Sequence, residues 1–366
     1  HHMYVYTQRR TTKRFYNAKK KILKDHTLDN IRDYIPEEIL KKYNLPTLRT
    51  ALIWIHKPKD KRDAETARKR FAFEEVFCIQ LERQHDKIIY RKNKSFQIKT
   101  KKKDMEEFLT RFPFKPTKSQ IVSINTINED LAKNYPMSRL LEGDVGSGKT
   151  AVAATASYLT VTERPNGQNF GNLQVAYMAP TEILASQHFE SFIEYFKHLP
   201  INIGLITGSG CKKFPSKINP AGWTDISRAQ LLKWVANGEI PILIGTHTLI
   251  QKTVKFKNLA LVVIDEQHRF GTNQRRNLVR KDGTAPHLLS MTATPIPRTL
   301  ALTIYGDLDL SLLDEMPLGR KPIITEIITP NKRGDVYEKI RTELESGRQL
   351  YVICPRINEP DPEKEM

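Results

Sequence analysis

The chain has 366 residues, of which 39% are hydrophobic and 27% charged, with a formal net charge of +18. That length allows about two domains with separate cores, and no apolar run approaches the ~20 residues of a membrane-spanning helix. Cys78, Cys211 and Cys354 stand far apart, which excludes a disulfide framework or zinc knuckle and reads as free thiols of a cytoplasmic protein. No secretory signal is expected, and His1-His2-Met3 reads as a tag remnant. The charge is uneven. Residues 1–110 hold 28 Lys+Arg against 15 Asp+Glu, and the remainder 31 against 26. The positive field therefore lies on the N-terminal third, where a polyanion such as DNA or RNA is the natural partner.

Residues 1–111 read as a basic helical segment. Helices are expected over Pro36–Tyr43, Thr47–His56 and, most strongly, Asp63 to about Gln84. The last carries a partial stripe of Ala67, Phe71, Ala72, Val76, Ile79 and Leu81. Lys87–Lys103 is rich in lysine and poor in apolar residues, so a solvated loop or helix end is expected. From residue 112 to 318 short apolar runs alternate with helical stretches. Ser138–Glu142, Val175–Met178, Ile203–Ile206, Ile242–Ile244, Leu259–Ile264 and Leu288–Met291 read as buried strands. Ala151–Leu159, Glu182–His198, Ser227–Asn237 and Gln274–Lys281 read as helices, and Thr162–Asn172 as an exposed loop. This alternation indicates an α/β fold with a parallel sheet covered on both faces. In residues 319–366, two strands (Pro322–Thr329 and Gln349–Cys354) flank a helix (Asp335–Glu345). They read as the start of a second, incomplete α/β lobe, followed by an acidic tail.

Gly143-Asp144-Val-Gly146-Ser147-Gly148-Lys149-Thr150 satisfies the phosphate-loop pattern G-x-x-x-x-G-K-[ST]. Glycines let such a loop turn backbone N–H groups around phosphate oxygens. Lys149 would reach the β- and γ-phosphates of ATP, and the Thr150 hydroxyl would ligate Mg²⁺. The strand before the loop and the helix after it supply the required setting. Leu259–Ile264 runs into Asp265-Glu266: Asp265 is expected to hold Mg²⁺ through water, and Glu266 to orient and deprotonate the attacking water. Thr292 and Thr294 end a further strand and could link nucleotide state to motion. Phe114 could stack on adenine and the Gln120 amide could read its edge, although Thr117 also reads as a plain helix cap. Pro180-Thr181, Thr207-Gly208 and Thr246-His247 each follow a strand; their hydroxyls and backbone N–H groups suit DNA phosphates without reading bases.

The ordered set resembles the superfamily 2 helicases and, more narrowly, the RecG family of bacterial branched-DNA helicases. The closest segments are GDVGSGKT (Gly143–Thr150), MAPTEILASQH (Met178–His188), LITGS (Leu205–Ser209), GTHTLIQ (Gly245–Gln251), DEQHRFG (Asp265–Gly271) and MTATPIPRTLALTIYGDLDLS (Met291–Ser311). PEEILKKYNL and ARKRFAFEE extend the likeness into the basic segment. The transcription-repair coupling factors resemble it less well at DEQH, Thr-Gly-Ser and GDLDLS. The resemblance implies a RecA-like ATP-binding domain over residues 112–318 and an ATP- and Mg²⁺-dependent motor acting on branched double-stranded DNA in recombination and repair. It adds His268 to the catalytic set and Gln267 and Arg298 to the coupling set. It also implies a wedge domain before the basic helices and arginine fingers in the second lobe. Neither is found here, so the chain reads as a fragment expected to bind ATP but to turn it over weakly alone. A non-catalytic, nucleotide-gated DNA-binding module is the alternative from another class.

Overall fold

The computed structural model describes residues 28, 30–165, 167–168, 170–217, 219–250, 253–266, 284–293, 307–317 and 324–353. Backbone contacts divide the chain into two units, His1–Leu318 and Gly319–Met366. The expected helix Gln274–Lys281, together with Gln267, His268, Thr294, Arg298 and Cys354, lies outside the described residues. Among those described, no helix is long and apolar enough to cross a membrane.

The first unit opens with helices α1 (Glu37–Lys42), α2 (Leu48–His56) and α3 (Lys61–Arg91). Side-chain caps set the starts of the last two: Thr47 accepts from Thr50 N and Asp60 from Asp63 N. Asp33 ties them together, accepting from Leu48 N at 2.7 Å and from Arg70 Nη2 at 2.9 Å. The Arg70 guanidinium is fully buried and also pairs with Glu74. Ala72, Val76, Ile79 and Leu81 of the expected stripe are exposed. Ala67 of that stripe is buried, and the packed face runs on through Arg70, Phe73 and Phe77, which keeps the three-to-four residue period more closely.

α3 runs past its expected end, and residues 92–101 are not a solvated loop. Lys87 Nζ and Arg91 Nη2 each donate to Asp309 at 2.8 Å. Ser95 N and Ile98 N donate to the carbonyls of Asn134 and Leu131, Ser95 Oγ donates to Ala285 O, and Ile98 is fully buried. The lysine-rich composition hides two apolar anchors, Ile98 and the partly buried Phe96, and a set of backbone bonds that strap this segment onto the sheet domain. Helices α4 (Lys102–Leu109) and α5 (Lys118–Leu131) follow.

The sheet domain comprises β1 (Ser138–Gly143), α6 (Lys149–Thr162), β2 (Gln174–Met178), α7 (Glu182–Phe196), β3 (Ile203–Ile206), β4 (Cys211–Phe214), β5 (Thr224–Asp225), α8 (Arg228–Asn237), β6 (Ile242–Gly245), β7 (Leu259–Asp265), β8 (His287–Thr292) and β9 (Asp309–Leu313). Its nine strands lie in the order β5-β4-β3-β6-β2-β7-β8-β1-β9. All pairings from β3 to β9 are parallel, and β4 and β5 add an antiparallel edge that the sequence reading lacks. Alternation places Val175, Tyr177 and Val263 in one core with Ile124, Val152 and Phe189. Ala176, Val262 and Leu288 enter the other with Leu231 and Val235. Both faces are thus covered, which explains the nearly continuous apolar strands. β1 lies two strands from β7, with β8 between, so the loops leaving β1 and β7 emerge at the same sheet end.

The second unit is described over residues 324–353 and contains α9 (Arg333–Glu345). The expected strands do not form over its described residues. Ile324, Ile327, Tyr351, Val352 and Ile353 are exposed, and an apolar run without a ladder partner has no reason to become a strand.

Candidate functional site: the phosphate loop and the acidic strand end

β1 delivers the chain into a loop in which Gly146 and Gly148 take φ of 81° and 87°, a region that L side chains disfavour. Gly148 is the N-cap of α6 and, having no side chain, offers no cap bond. The first-turn N–H groups of α6 therefore lack a side-chain acceptor such as Thr181 supplies to α7, and they point a positive helix end at the loop. Lys149 Nζ donates to Gly143 O at 2.7 Å and Asp144 O at 2.9 Å. Burial lowers the Lys149 pKa, while the charges of Asp265, Asp144 and Glu266 oppose that shift. The loop lysine and the acidic pair thus share one electrostatic neighbourhood. Within the loop Ser147 is buried and Asp144 is exposed, and a cavity of about 440 Å³ lies along Glu142–Asp144 and Leu312–Met316.

Asp265 closes β7 half-buried, and Glu266 follows it exposed with φ of 54°. A left-handed glutamate costs about 1–2 kcal/mol, a strain characteristic of working sites. Thr292 is buried at the end of β8, in register with Glu142 of β1.

Gln120, expected to read the adenine edge, is also tied into the protein. It is buried; its Oε1 accepts from Thr117 N at 3.0 Å, and its Nε2 donates to Ser147 O at 2.6 Å. Each end of the amide makes one internal bond, in a capping box and in the phosphate loop, which leaves one N–H and one lone pair for a base. Phe114 is half-buried and stacked on Phe112, with centroids 5.6 Å apart.

The loops expected to hold DNA phosphates lie together because β3, β6 and β2 are neighbours. Their chemistry differs in detail from the expectation. Thr181 is exposed and caps α7 by accepting from Leu184 N, with Pro180 beside it. Thr207 and Thr246 are buried. Thr207 Oγ1 closes its own turn on Gly210 O at 3.0 Å, and Thr246 Oγ1 lies 3.5 Å from Thr248 Oγ1. Gly208 N donates to Glu182 Oε1 at 2.8 Å and Ser209 N to Oε2 at 3.3 Å. These bonds hold the Glu182 carboxyl below its usual range, the Ser209 side chain contributing most. The backbone of His247 begins a short 3₁₀ turn.

Two side chains without an expected role complete the site. His188 Nε2 lies 2.7 Å from Asp265 Oδ2, and His188 Nδ1 lies 3.3 Å from the Tyr177 hydroxyl. Burial raises the Tyr177 pKa well above its ordinary value, with Asp265 adding to the shift and a hydrogen bond from Thr150 opposing it. The sequence signal is thin: His188 ends the segment MAPTEILASQH, with nothing to pair it with Asp265.

The sequence profile of the DEAD/DEAH box helicases matches residues 117–303. The chain is 43% identical over 332 residues to the ATP-dependent DNA helicase RecG of Synechocystis sp., covering 90% of this chain and 37% of that protein. It is 41% identical over 334 residues to RecG of Bacillus subtilis, covering 91% of this chain and 46% of that one. The solved structure of RecG bound to a three-way DNA junction superposes with a TM-score of 0.74 at 36% identity, covering 96% of this chain and 44% of that one. The chain spans less than half the length of these relatives. A family profile that covers half the sequence, on a mostly parallel sheet that places its phosphate loop beside its acidic strand end, shows that the chain belongs to the DEAD/DEAH box helicase family.

Proposed function

We propose that this chain carries the nucleotide-binding lobe of a RecG-type, ATP-dependent motor that acts on branched DNA in the cytoplasm during recombination and repair. The exit of the phosphate loop and of the Asp265–Glu266 strand end at one end of the parallel sheet carries the reading, and the charges of Asp265 and Glu266 are felt at the Lys149 ammonium. The likeness to RecG on a three-way junction supports the choice of DNA substrate, and the basic surplus of residues 1–110 supports a polyanionic partner.

The site's residues fit a nucleotide triphosphate. The uncapped start of α6 and Lys149 would bind the phosphates. Thr150 and Asp265 would hold Mg²⁺, with phosphate oxygens and water completing its shell. Among the described residues no cluster of three acidic, histidine or cysteine side chains forms a metal cage, as suits an ion that arrives with its substrate. Bound Mg²⁺ would neutralise charge on the phosphate oxygens. Glu266, exposed beyond the strand end, would orient the attacking water and take its proton. Glu182, bonded to the loop after β3, braces the two loops that would track the DNA backbone.

The test is ATP turnover by the chain with and without a three-way junction. Slow turnover that the junction accelerates is expected, with Glu266→Gln lowering it by about a hundredfold or more and leaving nucleotide binding intact. Turnover indifferent to both the junction and Glu266→Gln would contradict the reading.

A further inference from the structure

Asp265 ends β7, and two side chains the proposed reaction does not use lead from it into the core. Tyr177 stands on β2, between β6 and β7, and is fully buried. His188 stands on α7, nearly buried, against the Tyr177 ring with centroids 4.8 Å apart. Both ring nitrogens of His188 have polar partners: the Tyr177 hydroxyl lies 3.3 Å from Nδ1 and Asp265 Oδ2 lies 2.7 Å from Nε2. Packing alone would account for an aromatic ring here, since Tyr177 also meets Phe192 edge-on. It would not account for a nearly buried imidazole with a polar partner at each nitrogen, one of them the Asp265 carboxylate.

We propose that His188, steadied by the Tyr177 hydroxyl, is a positioning residue that fixes the Asp265 carboxylate for Mg²⁺. The proposal rests on the nucleotide-site reading above and deepens it. Asp265 gives Oδ2 to His188 and keeps Oδ1 for a cation. Outer partners of this kind orient metal ligands, and their loss weakens metal affinity by about 10–100-fold. Because Tyr177 and His188 belong to different elements, the contacts also tie β2 and α7 to the strand end of β7.

The experiment measures ADP binding to the chain by titration calorimetry, without metal and across a Mg²⁺ series. His188→Asn keeps a group near Nδ1 and loses the donor to Asp265. His188→Gln places an amide nitrogen near Nε2 and keeps that donor. Tyr177→Phe keeps the ring and removes the hydroxyl that faces His188 Nδ1. His188→Asn and Tyr177→Phe are expected to raise the Mg²⁺ concentration needed for half-maximal tightening by about tenfold or more, leaving metal-free ADP affinity unchanged. His188→Gln is expected to recover most of the loss. Wild-type Mg²⁺ dependence in His188→Asn overturns the proposal, as does His188→Gln behaving no better than His188→Asn, which would mark a packing role. Tyr177→Phe, with its ring intact, decides the matter if the His188 variants do not fold. Absence of metal-free ADP binding in the wild-type chain would instead overturn the nucleotide site itself, and the proposal with it.

Discussion

Gln120 Nε2 donates to the carbonyl of Ser147 across 2.6 Å, so the helix that precedes β1 holds the phosphate loop from below. The same amide closes the capping box of α5. Gln120→Ala would leave Ser147 O buried without this donor and Thr117 N without its acceptor. A buried polar group deprived of its partner costs about 1–3 kcal/mol. A loss of that size in urea unfolding is expected, together with weaker nucleotide binding as the loop loosens. Unchanged stability and unchanged binding would show that the contact has no energetic role.

His287 bears on acid stability. It is wholly buried, and burial lowers its pKa to about 4, with the Phe96 carbonyl and Asp130 opposing the shift. Its Nδ1 accepts from Met137 N at 3.0 Å and its Nε2 donates to Phe96 O at 2.7 Å, so the neutral ring joins β8 to the entry of β1 and to the segment that follows α3. The folded pKa lies below the unfolded value, so the unfolded chain takes up the proton first. The contribution is fully present above about pH 6.5 and is lost as pH falls toward about 4, amounting to roughly 3 kcal/mol. The melting temperature is expected to fall across that window in the wild type and to vary less in His287→Gln. Identical pH profiles would contradict the assignment.

Glu266 holds a left-handed backbone conformation. Glycine adopts that conformation freely, so Glu266→Gly removes a strain of about 1–2 kcal/mol, against a higher entropy of the unfolded chain. Stability in Glu266→Gly equal to or above that of the wild type, with ATP turnover abolished, is expected. Chemical unfolding paired with a phosphate-release assay reads both. A marked loss of stability would mean that the Glu266 side chain holds the fold rather than serving the reaction.

The strands that flank the site are legible in the sequence because burial on both faces leaves uninterrupted apolar runs, as in Leu259–Ile264. The phosphate loop is legible because its glycines and lysine are tied to fixed positions by the geometry of phosphate binding. β4, Cys211-Lys-Lys-Phe214, is not, since its two half-exposed lysines break the apolar run and its pairing is antiparallel at an edge. The segment after α3 is hidden for a similar reason: backbone bonds at Ser95 and Ile98 hold it, and composition does not report them. The His188–Asp265 contact spans 77 residues and exists only because the sheet places β2 beside β7. Gln120 likewise makes internal bonds, to Thr117 N and Ser147 O, that its place in the sequence does not report.

The central claim is that a nucleotide docks between the phosphate loop and the Asp265–Glu266 strand end. Titration calorimetry of the wild-type chain and of Lys149→Ala with a non-hydrolysable ATP analogue and Mg²⁺ tests it most directly. One saturable site in the wild type and loss of that binding in Lys149→Ala are expected. Equal binding by the two proteins, or no binding by the wild type, would contradict the account.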